Sequence, residues 1–173
     1  RLLAEPGPDA AQLQKLLECA VSVPDHGKLV PWRFLSIQGQ TRRQLGDLLA
    51  MRSRELNPQA AAAVIEKDRQ RFSHAPLVIA VIARLTPGHK VPEQEQLLSG
   101  GAVCLQLLQA SDALGFGAQW LTGWAAYDPV VTKRLGLGEN ERILGFIHIG
   151  TACEAVAERE RPDTGTLLTE LAL

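Results

Sequence analysis

The sequence is short of the residues that mark specialised chemistry. Its three cysteines, Cys19, Cys104 and Cys153, form no C-x-x-C pair, and their odd number and wide spacing are typical of reduced thiols in the cytoplasm. The four histidines lack the short spacings of a zinc site, so we predict no metal ligand set. No apolar run is long enough to cross a membrane and no signal peptide is visible. We therefore expect a cytoplasmic protein with no metal and no membrane contact.

An excess of charge of one sign is also lacking. The 18 lysine and arginine residues nearly balance 19 aspartate and glutamate residues, which leaves a net charge of -1. The basic residues are scattered and are not interleaved with aromatic ones, which argues against a nucleic-acid surface. A hydrophobic content of 46% and a length of 173 residues are those of one globular domain. We predict a single domain over residues 1–173, without repeats or linkers.

The sequence motifs of several enzyme classes are missing as well. There is no G-x-G-x-x-G after a strand, no Walker loop, no G-x-S-x-G and no H-E-x-x-H. Any hydride chemistry would therefore depend on a tightly bound cofactor rather than on a Rossmann unit. The protein would then supply orientation, electrostatics and exclusion of water.

Hydrophobic periodicity predicts helices that cover a central sheet. Two capping boxes, Asp9 with Gln12 and Thr41 with Gln44, are expected to begin the first two helices. The unbroken apolar run at 76–83 is typical of a strand buried on both faces. The predicted helices cover about 10–20, 41–55, 58–72, 92–114 and 128–136, and the predicted strands 32–38, 76–83, 117–122 and 142–151.

The longest predicted helix, over 92–114, is interrupted by Gly100 and Gly101. A glycine in the middle of a helix costs about 1 kcal/mol relative to alanine. Two explanations stay open at this point. Either the pair is simply tolerated, or another backbone, such as that of a second subunit, approaches the helix closely there.

The densest group of polar side chains lies in the loop between the first helix and the first strand. Residues 23–34 carry Asp25, His26 and Lys28 between Pro24 and Pro31. Proline fixes its own φ and restricts the residue before it to extended geometry. A loop restrained in this way can hold polar groups at set positions above a core, which suits a planar, anionic cofactor.

This loop resembles the first cofactor-contacting loop of the FMN-dependent nitroreductase family, above all of its small, single-domain branch. In that family a helix runs into a Pro-Ser/Asp-x-x-x-x-x-Pro-Trp-x-Phe sequence. Residues 114–123 are similar to the family's helix-Gly-hydrophobic-Gly-x-x-Trp-x-x-Gly passage, and residues 143–151 to its last core strand. Residues 4–6 and 128–136 match as well, so the resemblance covers nearly the whole chain in the family's order.

The resemblance implies an α+β fold with a mixed central sheet flanked by helices, built as a homodimer with FMN at the subunit interface. It implies an oxidoreductase in which a hydride passes from NADPH or NADH through the flavin to a small nitroaromatic or quinone-type acceptor. No catalytic side chain is assigned, because the flavin would carry the chemistry. Two alternatives stay open: a non-enzymatic flavin-binding or structural protein of this fold, and a flavin-dependent dehydrogenase or dehalogenase of a specific metabolite.

The resemblance also assigns binding residues. It implies that FMN contacts Ser22, His26, Lys28, Trp120, Leu121 and Thr122, although the family often has an arginine at the position of Ser22. It implies that the nicotinamide nucleotide contacts Ala110, Ser111, Asp112, Ala113, Leu114 and Gly115. The family's phosphate-binding Arg-Arg-Ser-type arm would lie upstream of Arg1. We expect an N-terminal piece to precede this sequence, and the arm itself is either cut off, disordered or lost.

Structural alternatives to these roles remain. His26 could satisfy a loop backbone group, and Lys28 could face solvent. Trp120 and Trp124 could fill an interface instead of lining a pocket. Arg161 could approach a phosphate or be solvated with the rest of the polar tail. A further histidine, in the strand predicted at 142–151, is expected to be a satisfied core residue rather than a catalyst.

Overall fold

The structure is a computed structural model that describes residues 3–155 and 157–172; Arg1, Leu2, Val156 and Leu173 lie outside the described part. The predicted order of helices and strands is confirmed, with one short strand added at the start. The strands are β1 (Leu3–Ala4), β2 (Trp32–Gln38), β3 (Leu77–Arg84), β4 (Gly117–Leu121) and β5 (Glu141–Ala152). The helices are α1 (Ala10–Ala20), α2 (Gly39–Leu56), α3 (Ala62–Arg69), α4 (Glu93–Ala113) and α5 (Pro129–Arg134).

Strand β5 is the centre of the sheet. One edge of β5 pairs with β3, which in turn pairs with β2, and the other edge pairs with β4. The last residues of β5, Thr151 and Ala152, pair with β1. The predicted α+β class is confirmed. Every strand pair among the described residues is antiparallel. The sheet of one chain is therefore not mixed in strand direction, contrary to that detail of the prediction.

The apolar run of β3 serves two cores, as predicted for a strand buried on both faces. Leu77, Ile79 and Val81 pack against α1 and α4 on one face of the sheet. Their alternating neighbours in β3 pack against α2 and α5 on the other face. Successive side chains of a strand point to opposite faces, so a strand covered by helices on both sides has no polar position.

The first predicted capping box is confirmed and the second is wrong. Asp9 Oδ1 accepts a hydrogen bond from the Gln12 backbone N–H at 2.8 Å, and Gln12 Oε1 accepts from the Asp9 backbone N–H at 2.9 Å. Thr41 instead lies inside α2, which begins two residues earlier. Gly39 there adopts φ +54°, a conformation that glycine enters without steric cost, and it turns β2 directly into the helix.

The predicted start of α3 at Pro58 is also wrong. Residues 57–60 form a turn in which the Ala60 backbone N–H donates to the Asn57 carbonyl at 3.0 Å, and the helix begins only at Ala62. The helix ends at Arg69, so the Phe72 ring enters the core from the following turn and is fully buried.

The two glycines of α4 have different surroundings. A Cβ on Gly100 would overlap the Leu144 side chain of β5, so α4 approaches the sheet closely at this point. A Cβ on Gly101 would meet nothing within 4 Å. At Gly100 close approach is therefore the explanation, although the partner is a side chain of the same chain and not another backbone. Gly101 has open space beside it in the single chain.

His148 lies in the core but is not fully satisfied. His148 is 2% exposed, and its ring stacks on that of Phe72 with the ring centroids 6.0 Å apart. Its Nδ1 has no hydrogen-bond partner among the described residues, contrary to the expected satisfied core histidine. Burial is the main cause that lowers the pKa of His148 to about 4, and the nearby charges of His74 and Arg71 lower it further.

The depressed pKa of His148 predicts a pH-dependent stability. Between pH 6.5 and about 4, His148 is protonated in the unfolded chain but stays neutral in the folded protein. The free energy of unfolding should therefore fall as the pH is lowered. The loss should reach about 3 kcal/mol at the acid end of this window. Denaturant unfolding of His148→Phe should lack most of this slope. His74→Gln should keep most of it, because burial is the larger cause; equal slopes in wild type and His148→Phe would contradict the assignment.

Candidate functional site

The loop after α1 has an unusual backbone. Gly27, Lys28 and Val30 have φ values of +74°, +54° and +48°. The Asp25 carboxylate holds the end of the loop, since it accepts hydrogen bonds from the backbone N–H groups of Leu29 at 3.1 Å and Val30 at 2.8 Å. A left-handed conformation is costly for a β-branched residue such as Val30 and persists only where the surroundings enforce it. The loop therefore holds its side chains at defined positions, as the sequence predicted.

His26 lies at the tip of this loop and contacts the beginning of α4. Its Nδ1 is 2.7 Å from Oε2 of Glu95, in the first turn of the helix. Both residues line a hollow of about 300 Å³, hereafter the His26 hollow, together with Pro24, Leu98, Ser99 and Ala102. Glu95 carries no signal in the sequence that marks it as a partner of His26, because it is 69 positions away and acidic residues are common at helix starts.

The neighbours of His26 in the predicted FMN set are exposed but do not line this hollow. Ser22 follows the last turn of α1, and its backbone N–H donates to the Cys19 carbonyl at 3.1 Å. Lys28 is exposed in the loop. Their contacts with FMN stay predictions.

Trp120, on β4, is held in place from two directions. Its Nε1–H donates to the Leu144 carbonyl at 3.0 Å, and its indole covers Gly145, where a Cβ would overlap the ring. The rest of the ring is exposed and lines a second hollow of about 550 Å³ with Leu121, hereafter the Trp120 hollow. Thr122 follows directly after β4 and is half-buried.

Trp124 has a different role from Trp120. Its Nε1–H donates to Asp68 Oδ1 at 3.0 Å, and its ring packs against the core beneath α2 and α5. It lines neither the His26 hollow nor the Trp120 hollow. Trp124 therefore joins β4 to α3 within the chain.

The polar tail contributes charge to the Trp120 hollow. Arg159 and Arg161 line it together with the carboxylate residue Glu158, and so does Leu108 of α4. Two guanidinium groups beside one aromatic ring favour an anionic ligand. The roles of Arg161, for which two alternatives stayed open, and of Arg159 could not be predicted, because the tail has no periodicity that would place its residues in space.

The segment assigned to nicotinamide binding is partly inside the core. Ala110 and Ser111 are buried, and the Ser111 hydroxyl donates to the Leu107 carbonyl at 2.7 Å. Residues 112–115 are exposed, and Gly115 ends the helix with φ +81°. Binding of the nicotinamide by this segment stays a prediction, with its exposed residues as the ones able to touch a ligand.

The two hollows lie at opposite ends of one helix face. Leu98 lines the His26 hollow and Leu108 lines the Trp120 hollow, and ten residues of helix separate them by about 15 Å. Gly101, Ala102 and Leu105 lie between them on the same face at helical spacing. We call these five residues the α4 stripe. It is apolar throughout, with Leu98 66% exposed and Leu105 49% exposed.

Other kinds of site are not seen in the described residues. Over 3–155 and 157–172, no three histidine, cysteine, aspartate or glutamate side chains come together in a way that could hold a metal ion. Within the same residues, none of the helices combines the length and the apolar character needed to span a bilayer.

Comparison with known proteins points to one family. A model of the nitroreductase family matches residues 1–151. The Escherichia coli protein named "Putative NAD(P)H nitroreductase YdjA" is 36% identical over 149 residues, which is 86% of this chain and 80% of that protein. The crystal structure of a nitroreductase-like family protein from Bacillus cereus superposes with a TM-score of 0.83 at 22% identity, over 99% of this chain and 89% of that one. A Bacteroides fragilis nitroreductase with bound FMN gives a TM-score of 0.71 at 19% identity, over 99% and 92%.

The packing of Trp120 on Gly145 makes a direct prediction. A methyl group at position 145 would displace the indole and break its hydrogen bond to Leu144, so Gly145→Ala should cost about 1–3 kcal/mol of stability and change the tryptophan emission. Gly138→Ala is the matched control, since a Cβ there has only ordinary contacts with Glu141. Urea unfolding followed by fluorescence measures both. Equal stability of the two variants would contradict the role of Gly145.

Proposed function

Because the chain belongs to the nitroreductase family, we propose that it is an FMN-dependent oxidoreductase that passes a hydride from NADPH or NADH to a small nitroaromatic or quinone-type acceptor. Relatives are named as NAD(P)H nitroreductases, and one structural neighbour was crystallised with bound FMN. Within the chain, the observation that carries the proposal is the placement of the two hollows at the ends of the α4 stripe.

The α4 stripe supports a homodimer. Exposed leucines at helical spacing, with small residues between them, form a surface that a second helix can approach closely. A two-fold interface uses the same patch on both subunits. Two copies that packed antiparallel through the middle of this stripe would bring the His26 hollow of one subunit towards the Trp120 hollow of the other. The predicted FMN residues beside the two hollows, whose lining leucines Leu98 and Leu108 are about 15 Å apart along α4, would then contribute to a shared site.

The residues present fit FMN. The Trp120 hollow offers a fixed aromatic surface, apolar side chains from Leu108 and Leu121, and two guanidinium groups able to hold a phosphate. When bound, FMN would supply the hydride chemistry between the reduced nicotinamide and the acceptor.

The chain's own residues then bind and orient. Trp120 is held by Leu144 and Gly145 and keeps the wall of the hollow fixed, while Arg159 and Arg161 provide positive charge in its lining. The leucines of the α4 stripe would exclude water from the junction of two subunits. His26 supplies a ring nitrogen at the partner's side of the site. No side-chain nucleophile is required for such a reaction, in agreement with the absence of catalytic motifs.

The function is tested on the purified full-length protein. We expect one FMN per chain and no FAD, because the sequence lacks the G-x-G-x-x-G motif of a Rossmann unit that would hold an adenosine half. Without oxygen, we expect oxidation of NADPH or NADH beyond one equivalent per flavin only when a quinone or nitroaromatic is added. Chromatography of the released flavin and absorbance of the nicotinamide measure this. A colourless protein that takes up no FMN would overturn the proposal. Bound FMN without turnover would favour the non-enzymatic alternative.

The dimer is tested at Gly101, where a side chain has room in the single chain. Gly101→Leu should leave the monomer folded but overpack the helix contact, so light scattering should show fewer dimers and FMN occupancy should fall with them. Gly101→Ala controls for the gain of about 1 kcal/mol in helix propensity. A Gly101→Leu protein that remains a flavin-loaded dimer would place the interface elsewhere.

A further inference from the structure

We infer that Glu95 is the positioning residue of His26: it takes the hydrogen of Nδ1 and so presents Nε2 to the His26 hollow as a hydrogen-bond acceptor. Neutral His26 then recognises an N–H or O–H group of the bound ligand and not a carbonyl or phosphate oxygen. This inference rests on the proposed function for the identity of that ligand, FMN, and on geometry alone for the His26–Glu95 pair.

The geometry fixes which nitrogen carries the hydrogen. Nδ1 of His26 lies 2.7 Å from Oε2 of Glu95, a short hydrogen-bond distance. An ionised carboxylate can only accept, so Nδ1 must donate. In a neutral imidazole one nitrogen is a donor and the other an acceptor, and the hydrogen bond made by one nitrogen decides the state of the other. Nε2 therefore has a free lone pair, and no group among residues 3–155 and 157–172 hydrogen-bonds to it.

The loop holds the backbone of His26 independently of Glu95. Asp25 accepts two backbone hydrogen bonds, and Gly27 has a φ of +74°, which a residue with a side chain rarely adopts. The His26 side chain, in contrast, is 63% exposed, so packing alone does not fix the rotation of its ring. Glu95 supplies this missing restraint from the first turn of α4, a rigid element.

The exposure of the His26–Glu95 pair allows its effect on the orientation of the His26 ring to be distinguished from an effect on folding stability. The Glu95 side chain is 46% exposed, and ion pairs with this much access to water contribute little to folding. Loss of Glu95 should therefore leave the melting temperature nearly unchanged. Its effect should appear in the tautomer of His26 and in ligand affinity.

The fixed tautomer selects the groups of FMN that suit His26. The flavin ring carries one N–H group and the ribityl chain carries hydroxyls, and these can donate to Nε2. The ring carbonyl oxygens and the phosphate can only accept. The structure therefore assigns neutral His26 to a donor group of the cofactor, and leaves the phosphate to cations such as Arg159 and Arg161.

The first arm of the test needs no cofactor. Nitrogen NMR of the imidazole in the apo full-length protein, at about pH 9 where histidine rings are neutral, should show hydrogen on Nδ1 of His26. Glu95→Ala should move the hydrogen towards Nε2, whereas Glu95→Gln should keep it on Nδ1, because the amide oxygen still accepts. Glu93→Ala is the matched control: it removes another carboxylate of the same helix turn, one that pairs with Arg142. Hydrogen on Nε2 in the wild type would overturn the inference.

The second arm measures FMN affinity. Glu95→Ala should weaken FMN binding about three- to tenfold, the worth of one hydrogen bond, while Glu95→Gln and Glu93→Ala should bind as the wild type does. In a His26→Ala background, Glu95→Ala should cause no further loss, because Glu95 acts only through His26. An equal loss in both backgrounds would overturn the positioning role. If the wild type binds no FMN, the proposed function fails, and the tautomer measurement still decides the His26–Glu95 pair.

Discussion

The seating of Leu144 against Gly100 is the contact on which the rest of the structure depends. The Leu144 side chain occupies the notch that a glycine leaves in α4, and its carbonyl accepts the hydrogen bond of Trp120. One residue of the central strand therefore sets both the height of the long helix above the sheet and the position of the tryptophan that lines the larger hollow. Because α4 also carries Glu95 in its first turn, the partner of His26 is placed by the same helix.

The periodic features of the sequence were sufficient to predict the fold. The apolar run of β3, the capping box at Asp9 and the glycine that ends α4 each have a local physical cause, and each is found where it was expected. The errors arose where a local signal had a competitor. The capping box predicted at Thr41 does not form, because α2 already begins at Gly39. Pro58 lies in a turn that precedes α3 instead of in the helix.

The site was less predictable because its parts are joined only by tertiary structure. The loop around His26 and the strand around Trp120 could be recognised, since prolines, glycines and tryptophan stand at marked positions. Glu95 and Arg159 could not, because an acidic residue at a helix start and an arginine in a polar tail are ordinary in sequence. The spacing of the two hollows along α4 was also invisible until the helix was in place. It divides the proposed FMN residues of a single chain into two separate sets.

Helix α4 sets the distance between the two hollows as well as packing on the core, and this restricts which insertions and deletions the chain can tolerate. One face of the helix is buried against the sheet, while the opposite stripe connects the hollows over ten residues. Inserting or deleting one residue in its middle would rotate everything beyond that point by about 100° around the axis and shift it by about 1.5 Å. A deletion would put Leu108 on the side of the helix opposite Leu98, and either change would turn Leu107 away from the buried face that carries Gly100. Changes of chain length among divergent relatives should therefore collect in the loops, and the number of residues between the two ends of α4 should stay constant.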